Sequence, residues 1–265
     1  MFTKFIITCR FGDLKHLDFD TLSSNEKEYG LVTASEKGNF KNVKYLIEEK
    51  GVDIHTDYDR PFTEACNRGH YDIVLYLLQK GAKFWTQDDL AFCYACMNGH
   101  YKIAKHLISI GVDISAQEDF PIRYACHNGH LNIVKLLVSE GVNPTIYENI
   151  CLIWASMNGH YEVVKYLISL GADVHSKQDV SVYNADKNGY YDVVHYLVTK
   201  GAVTIHLSDK AKAYIAFCEK MQEKKRHRAQ KKIYFWWIPI CYDLERECGQ
   251  RMRQKNYEKY LELHI

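Results

Sequence analysis

The sequence predicts an all-α solenoid of short stacked helical hairpins, followed by a helical C-terminal segment. Two columns of glycine recur with a 30-residue period through the first 202 residues, apart from one extra residue in the opening unit. Between the glycines, apolar residues recur with helical spacing. Repeated units that each contact only their neighbours form a quasi-one-dimensional stack, so these two observations favour a helical solenoid.

The two glycine columns mark the predicted helix ends, because glycine adopts a positive φ at little cost and closes a helix. The column after the first helix of each hairpin is Gly38, Gly69, Gly99, Gly129, Gly159 and Gly189. The column after the second helix is Gly51, Gly81, Gly111, Gly141, Gly171 and Gly201. A degenerate unit with Gly12 precedes them, which gives about seven units over residues 1–202.

An acidic or amide residue stands ahead of most first helices and is predicted to cap them by accepting free backbone N–H groups. This column is Asp59, Asp89, Asp119, Asn149 and Asp179. Pro61 and Pro121 follow two positions later, where a missing N–H costs little. Each first helix should then run for two to three turns.

The second helix of each hairpin is predicted from one apolar stripe. In residues 69–81 the stripe consists of Ile73, Val74, Leu77 and Leu78. Two short helices cannot bury both apolar faces alone, so hairpins should stack where a small residue recurs. That small column is Ala34, Ala65, Ala95, Ala125, Ala155 and Ala185.

These motifs resemble the ankyrin repeat, a turn followed by two helices. Ala155–Val174, ASMNGHYEVVKYLISLGADV, is close to its consensus, and the resemblance covers about three quarters of the chain. The unit of 30 residues is shorter than the usual ~33, which implies shortened turns. The residue pattern and the spacing are also similar to those of the ankyrin family of mimivirus-type giant DNA viruses.

The resemblance implies a non-enzymatic scaffold that binds a partner protein through its concave face and inter-repeat turns. Candidate contact residues vary between units, so the repeat itself does not require them. Those just before the first glycine column are Arg68, Met97, His127, Met157 and Lys187. Those on the turns between units are Tyr58, Trp85, Gln117, Tyr147 and Lys177.

Several residues invite a chemical site, but the repeat explains them better. The spacing of Cys93 and Cys96 is that of a redox or zinc motif, yet Cys96 shares a column of small residues with Cys66 and Cys126. Four histidines form one column after the glycine, a whole unit apart, where a hydrogen bond in the turn is expected: His70, His100, His130 and His160. We therefore expect no enzyme activity, metal, cofactor or small-molecule substrate.

Two further columns bear on how the units join. Tyr94, Tyr124 and Trp154 could hold an extended partner, but packing between helices is the favoured interpretation. The consensus histidine of the family's first helix is replaced, so its hydrogen bonds between repeats should be absent. The replacing residues are Val32, Thr63, Cys93, Arg123, Ile153 and Tyr183.

Residues 203–265 are predicted to form a basic, Trp-rich helical segment that caps the array of residues 1–202. Ser208 and Asp209 should start a helix that continues past the basic run 224–232, and Pro239 should break it. We interpret the basic run as a solvated helix face. A targeting signal or a contact with an anionic surface is the less favoured interpretation. A membrane-interface role of Trp236 and Trp237 is the less favoured alternative.

Composition limits the partners. The formal net charge is +1, and no apolar run approaches the ~20 residues that span a bilayer, so neither nucleic acid nor membrane is expected. Nine cysteines without a secretory signal favour an intracellular, reduced protein. We also expect a monomer, and a host cytoplasm rather than a nucleus. The alternative function is an adaptor that recruits host ubiquitin ligation machinery through the C-terminal segment.

Overall fold

The protein, described by a computed structural model at residues 2–12, 14, 19, 21–85, 89–203 and 207–242, is helical in every element of that part of the chain. The helices are α1 (Phe2–Phe11), α2 (Ser24–Glu36), α3 (Phe40–Glu48), α4 (Thr56–Arg68), α5 (Tyr71–Gln79), α6 (Leu90–Met97), α7 (Tyr101–Ser109), α8 (Ala116–His127), α9 (Leu131–Ser139), α10 (Ile146–Met157), α11 (Tyr161–Ser169), α12 (Ser176–Lys187), α13 (Tyr191–Thr199) and α14 (Asp209–Tyr242). The predicted all-α hairpin solenoid is confirmed.

The chain divides into two compact units, Met1–Ser208 and Asp209–Ile265. In the first unit, α1 packs on α2, and six hairpins follow, from α2/α3 to α12/α13. Consecutive first helices pack against each other more extensively than consecutive second helices do, so this array curves toward its first helices. We call the incompletely buried face of α2, α4, α6, α8, α10 and α12 the inner surface, and that of the second helices the outer surface.

Glycine ends the helices as predicted. All twelve glycines of the two columns have a positive φ, between 61° and 106°. Gly12, which the sequence placed in the first column, does not, so the degenerate first unit lacks this helix stop.

The core lies between the two helix layers. The small column is fully buried, and the thiol column at Cys66, Cys96 and Cys126 is buried beside it. Burial raises the pKa of these three thiols well above the usual range. They therefore act as small apolar residues at the helix contacts, as the repeat interpretation predicted.

The acidic column does not cap helices, and that prediction was wrong. Asp89 stands at the start of α6 without a side-chain capping bond. Asp59 and Asp179 instead accept the backbone N–H groups of Lys83 and Val203, at 3.1 and 3.3 Å. Each bond joins residues 24 positions apart and ties the turn that enters a hairpin to the turn that leaves it. The residues of this column have a left-handed backbone, whereas a capping residue usually has an extended one.

A ladder of histidines links neighbouring hairpins. The ring of each ladder histidine lies over the first-column glycine of the preceding hairpin, where an added Cβ on Gly99 would meet His130 Nδ1 at 2.6 Å. The histidine also bonds through Nε2 to a backbone carbonyl of that hairpin. His70 Nε2 lies 2.9 Å from Glu36 O, and His100 Nε2 lies 2.9 Å from Asn67 O. The sequence predicted hydrogen bonding for this column, and the structure confirms it.

An asparagine column donates to the same carbonyls. Asn98 Nδ2 lies 3.2 Å from Asn67 O, which also receives His100. Asn158 Nδ2 and His160 Nε2 approach His127 O in the same way, at 3.0 and 2.8 Å. A carbonyl oxygen has two lone pairs, so each carbonyl uses its full capacity. Because the consensus histidine is replaced, its hydrogen bonds between repeats were expected to be absent. The histidine and the asparagine of the turn supply hydrogen bonds between repeats instead.

The ladder changes at both ends. At the N-terminal end Asn39 takes the histidine position and donates from Nδ2 to Gly12 O at 3.1 Å. At the other end Tyr190 takes it, and the phenol ring covers Gly159. An added Cβ on Gly189 would meet nothing within 4 Å, so the ladder ends at the last hairpin.

Helix α14 begins at Asp209, as predicted, and runs for 34 residues. Glu219 and Lys231 occupy its two glycine positions, and without a positive-φ residue the helix continues. The prediction that Pro239 breaks the helix was wrong, since α14 extends to Tyr242; proline removes one hydrogen bond and can kink a helix without ending it. The side chains of Trp236 and Trp237 lie outside the described residues, as does the segment after Asp243, which the sequence predicts to form a last helix.

Replacing Gly99 with alanine should cost more stability than replacing Gly111. Both residues have a positive φ, 77° and 93°, but only at Gly99 would the new Cβ meet a ring. We expect Gly111→Ala to lower the free energy of unfolding by about 1–2 kcal/mol, and Gly99→Ala by roughly 3 kcal/mol or more, because the clash adds to the backbone strain. Urea unfolding measures both, and equal losses would show that the ladder contact is absent.

The ladder should also make stability depend on pH. Burial lowers the pKa of His130 and of His160 in the folded chain, so the unfolded chain binds protons first as the pH falls below about 6.5. The free energy of unfolding should therefore decrease from pH 7.5 to pH 5. The positive charges of neighbouring ladder histidines act in the same direction on His130.

The variant His130→Asn should weaken this pH dependence, because asparagine keeps a donor, as Asn39 does, and does not titrate. His227→Asn on exposed α14 is the matched control and should leave the dependence unchanged. Urea unfolding at five pH values compares the slopes, and the same slope in all three proteins would contradict the assignment.

Candidate functional site

The five candidates on the turns between hairpins are all exposed: Tyr58, Trp85, Gln117, Tyr147 and Lys177. Tyr58 leaves 71% of its surface to solvent, Trp85 59% and Tyr147 51%. Large aromatic side chains in contact with solvent are the residue type that most often dominates binding energy at protein interfaces. The exposure of these three is therefore compatible with partner contact.

Four of these turns share a backbone that the sequence did not reveal. Three consecutive residues other than glycine have a positive φ, between 49° and 61°, at residues 57–59, 117–119, 147–149 and 177–179. Such a conformation costs about 1–2 kcal/mol per residue. The side chain of the last turn residue accepts a backbone N–H group that holds this geometry, for example Asp59 from Lys83 and Asp179 from Val203. No glycine marks these turns, so sequence reasoning missed them.

The candidates before the first glycine column divide into two kinds. Met97, His127 and Met157 are half-buried on the middle hairpins, whereas Arg68 and Lys187 are exposed nearer the ends. The backbone carbonyls of the middle three are acceptors in the ladder, for example Met97 O from Asn128 Nδ2 at 2.7 Å. The ladder uses only their backbone, which explains why their side chains vary.

Three of the candidates, Arg68, Tyr58 and Trp85, lie in a different register from the other members of their columns. Asn67, not Arg68, supplies the ladder carbonyl of its hairpin, so Asn67 is the equivalent of Met97. Tyr58 is the second residue of its left-handed turn, whereas Gln117 is the first. The period is 30 residues from Gly51 onward, so the equivalents of Gln117 are Asp57 and Gln87, not Tyr58 and Trp85, and these candidates were aligned one or two positions out of register.

The structure brings aromatic and cationic side chains together on α8 and α10, in a set that we call the central cluster. Its members are Phe120, Arg123, Tyr124, His127, Tyr147 and Trp154. The Phe120 and Tyr124 rings stack with centroids 4.0 Å apart, and Tyr124 meets Trp154 edge to face at 5.4 Å. Except for the more exposed Tyr147, the members are half-buried.

Arg123 lies within the central cluster and joins its two hairpins. Its guanidinium carbon is 5.3 Å from the centre of the Trp154 ring and 5.8 Å from that of Tyr147. Its Nη1 donates to Glu118 O at 3.2 Å, which fixes the side chain against α8. The sequence identified Arg123 only as a replacement of a buried histidine, so it missed this residue as a candidate contact.

The aromatic column predicted to pack between helices does so only in part. Tyr124 and Trp154 contact each other across two hairpins, which agrees with the packing interpretation. Tyr94, Tyr124 and Trp154 nevertheless remain half-buried, so each keeps part of its ring accessible on the inner surface. Such rings can contribute both to the stack and to a partner contact.

The outer surface contains a groove. A groove of about 290 Å³ lies between α7 and α9 and is lined by Tyr101, Asn132, Lys135, Leu136 and Ser139. It combines one exposed ring with polar side chains and contains no cluster of aromatic contacts comparable to the central cluster. Within the described residues, no group of three or more His, Cys, Asp or Glu side chains could hold a metal ion.

The comparisons with known proteins agree with this architecture. The family model described as "Ankyrin repeats (3 copies)" matches residues 5–88 and 92–178. Among solved structures, the chain is similar to the human ASB11 ankyrin repeat domain, with a TM-score of 0.56 and 24% sequence identity over 68% of this chain and 87% of that chain. This likeness shows the fold alone. A comparison with curated proteins found no match.

Replacing Gln178 with glycine should stabilise the array. Gln178 is exposed, and its φ is 60°, which glycine adopts without strain. Relief of about 1–2 kcal/mol of strain, offset by the ~0.5–1 kcal/mol of entropy that glycine loses on folding, should leave a gain near 0.5–1 kcal/mol. Gln79→Gly, in helical backbone at the end of α5, is the matched control and should destabilise. Urea unfolding compares them, and a loss at both positions would contradict the left-handed turn.

Proposed function

Because the chain belongs to the ankyrin repeat family, whose arrays are protein-interaction scaffolds, we propose that this array binds a partner protein through its inner surface and the turns between its hairpins. The observation that supports this proposal is the central cluster. It combines Trp, Tyr and Arg side chains at half-buried positions on the middle hairpins. Ankyrin arrays are typically non-enzymatic, and we propose the same of this chain.

The middle of the inner surface has the composition of an interface centre. Met97 lies on α6, in the hairpin before the central cluster, and Met157 lies at the end of α10, and both are half-buried. Methionine adapts its shape to a partner, and Trp, Tyr and Arg are the residues most enriched where binding energy concentrates. A partner that covers these side chains would remove apolar and aromatic surface from water at low entropic cost, because ring contacts already fix the rotamers.

Charged side chains lie toward both ends of this surface and supply a rim. Arg68 Nη2 binds Glu36 at 3.0 Å near the N-terminal end. Lys177 Nζ binds Glu148 at 2.8 Å near the C-terminal end, where Lys187 is also exposed. Rim charges contribute more to specificity and association rate than to affinity.

The source of the partner is a further part of the proposal. The 30-residue unit and the sequence of residues 155–174 resemble those of ankyrin proteins of mimivirus-type giant DNA viruses. On that resemblance we propose that the partner is a host protein, that the chain acts as a monomer, and that it acts inside the cell, in the cytoplasm. The rigid ladder supports the monomer, since the array needs no second copy to hold its shape.

The alternative function is an adaptor that recruits ubiquitin ligation machinery through the C-terminal segment. We favour the scaffold because the features that support binding lie on the array. Removing residues 221–265 separates the two proposals: an adaptor would lose a ligase subunit from affinity-purified complexes, whereas a scaffold would keep its partner on the array.

Substitutions in the central cluster should release the partner. Proteins captured from a eukaryotic cell extract by the tagged full chain are identified, and the affinity of the purified partner is measured by calorimetry. We expect Trp154→Ala to weaken binding about 30-fold and Arg123→Gln about 10-fold, the effect of losing roughly 2 and 1.4 kcal/mol at an interface centre.

The matched control is Tyr101→Ala, which removes an exposed ring from the outer surface. It should leave the affinity within about twofold, and circular dichroism checks that all three variants are folded. Loss of binding in Tyr101→Ala with no loss in Arg123→Gln would place the interface on the outer surface and overturn the proposal.

A further inference from the structure

Helix α14 carries a row of side chains that combines cations with exposed apolar groups. The row follows spacings of four and three residues, which place its members on one face of a helix. Its members are Lys210, Tyr214, Phe217, Met221, Lys224 and Arg228, and all are exposed. Phe217 leaves 59% of its surface to solvent and Met221 leaves 41%. We call this set the α14 row.

The acidic residues near the α14 row lie on other faces. Glu219 and Glu223 each follow a row member by two positions, and residues two apart on a helix do not face the same way. Over residues 209–230 there are seven Lys or Arg and three Asp or Glu, a net charge of +4. The exposed apolar groups are therefore flanked only by cations along their own face.

From this arrangement we propose that α14 binds the surface of an anionic lipid bilayer. Exposed apolar side chains on a helix can enter the acyl boundary while neighbouring cations meet lipid phosphates and carboxylates. Phe217 and Met221 supply the apolar contact, and Lys224 and Arg228 supply the charge. Lysine and arginine also keep their charged ends in the headgroup layer while their stems cover apolar surface.

The chemistry of the α14 row favours a bilayer over nucleic acid. The phosphate backbone of a duplex is contacted by cations, and binding to it would leave exposed Phe217 and Met221 at the middle of the row in water. A bilayer offers negative charge and an apolar layer at the same place.

The sequence beyond the row agrees with a surface location. In the sequence, IYFWWIPICY follows the basic run at residues 233–242, and Trp and Tyr are enriched at membrane interfaces. Ten residues are too few to span a bilayer, and no helix of the described residues is long and apolar enough to cross one. The sequence argument against a membrane partner used the net charge of +1 and the lack of a spanning run; residues 209–230 alone carry +4, and binding at the surface requires no span.

Flotation of the full chain with liposomes tests this inference. We expect binding to phosphatidylcholine vesicles that contain phosphatidylserine, and little binding to pure phosphatidylcholine. Raising the salt concentration to about 0.5 M should weaken the binding, since it screens the lysine and arginine contacts. The double variant Phe217→Glu/Met221→Glu should reduce the partition constant at least tenfold.

A matched control separates the α14 row from overall charge. Ala216→Glu/Gln222→Glu adds the same two negative charges at exposed positions off the row and should keep most of the binding. Circular dichroism and the capture of the protein partner check that both double variants are folded, which also distinguishes a failure here from a failure of the scaffold function.

Three results would overturn the proposal. The first is no flotation of the full chain with the serine-lipid vesicles. The second is an equal loss in both double variants, which would mean that only net charge matters. The third is binding of a 30-base-pair duplex that is tighter than vesicle binding and unaffected by Phe217→Glu/Met221→Glu, which would assign α14 to nucleic acid.

Discussion

The array depends on one interaction, the imidazole that lies over the glycine of the preceding hairpin and donates to its backbone. His100 shows its parts: the ring covers Gly69, and Nε2 meets Asn67 O at 2.9 Å. The glycine has to serve two purposes at once, a positive φ that ends the helix and the absence of a Cβ that would enter the ring. Both the sequence of the turn and the spacing of the hairpins follow from this contact.

Because the ladder acts through backbone carbonyls, it leaves the side chains at the same positions free to differ. Met97 and His127 both offer a carbonyl to the next hairpin, yet one side chain is a thioether and the other an imidazole in the central cluster. Stability and recognition are thus carried by different atoms of the same residues. An array built in this way can change its inner surface without changing how its hairpins stack.

The sequence predicted the features that repeat along the chain, and it missed the contacts that join neighbouring hairpins. Gly69 and Gly81 end helices where periodicity placed those ends, since a helix stop is a local property. The role of Asp59 was predicted wrongly, because a residue before a helix suggests a cap, whereas its carboxylate reaches Lys83 N, 24 residues ahead. Arg123 was missed for the same reason: its contacts with Trp154 and Tyr147 belong to the next hairpin. Side-chain direction across a stack cannot be read from spacing along the chain.

The rule that shapes the array also explains why α14 differs from it. A hairpin forms where glycine stops a helix after two or three turns, and α14 has Glu219 and Lys231 where those glycines would stand. The helix therefore continues for 34 residues instead of folding back on itself. A folded-back helix would cover the apolar face of its partner, but a continuous one leaves Phe217 and Met221 exposed within its own unit. Loss of the glycine stops thus converts a stacking unit into a helix whose exposed apolar groups are available to a surface outside the protein.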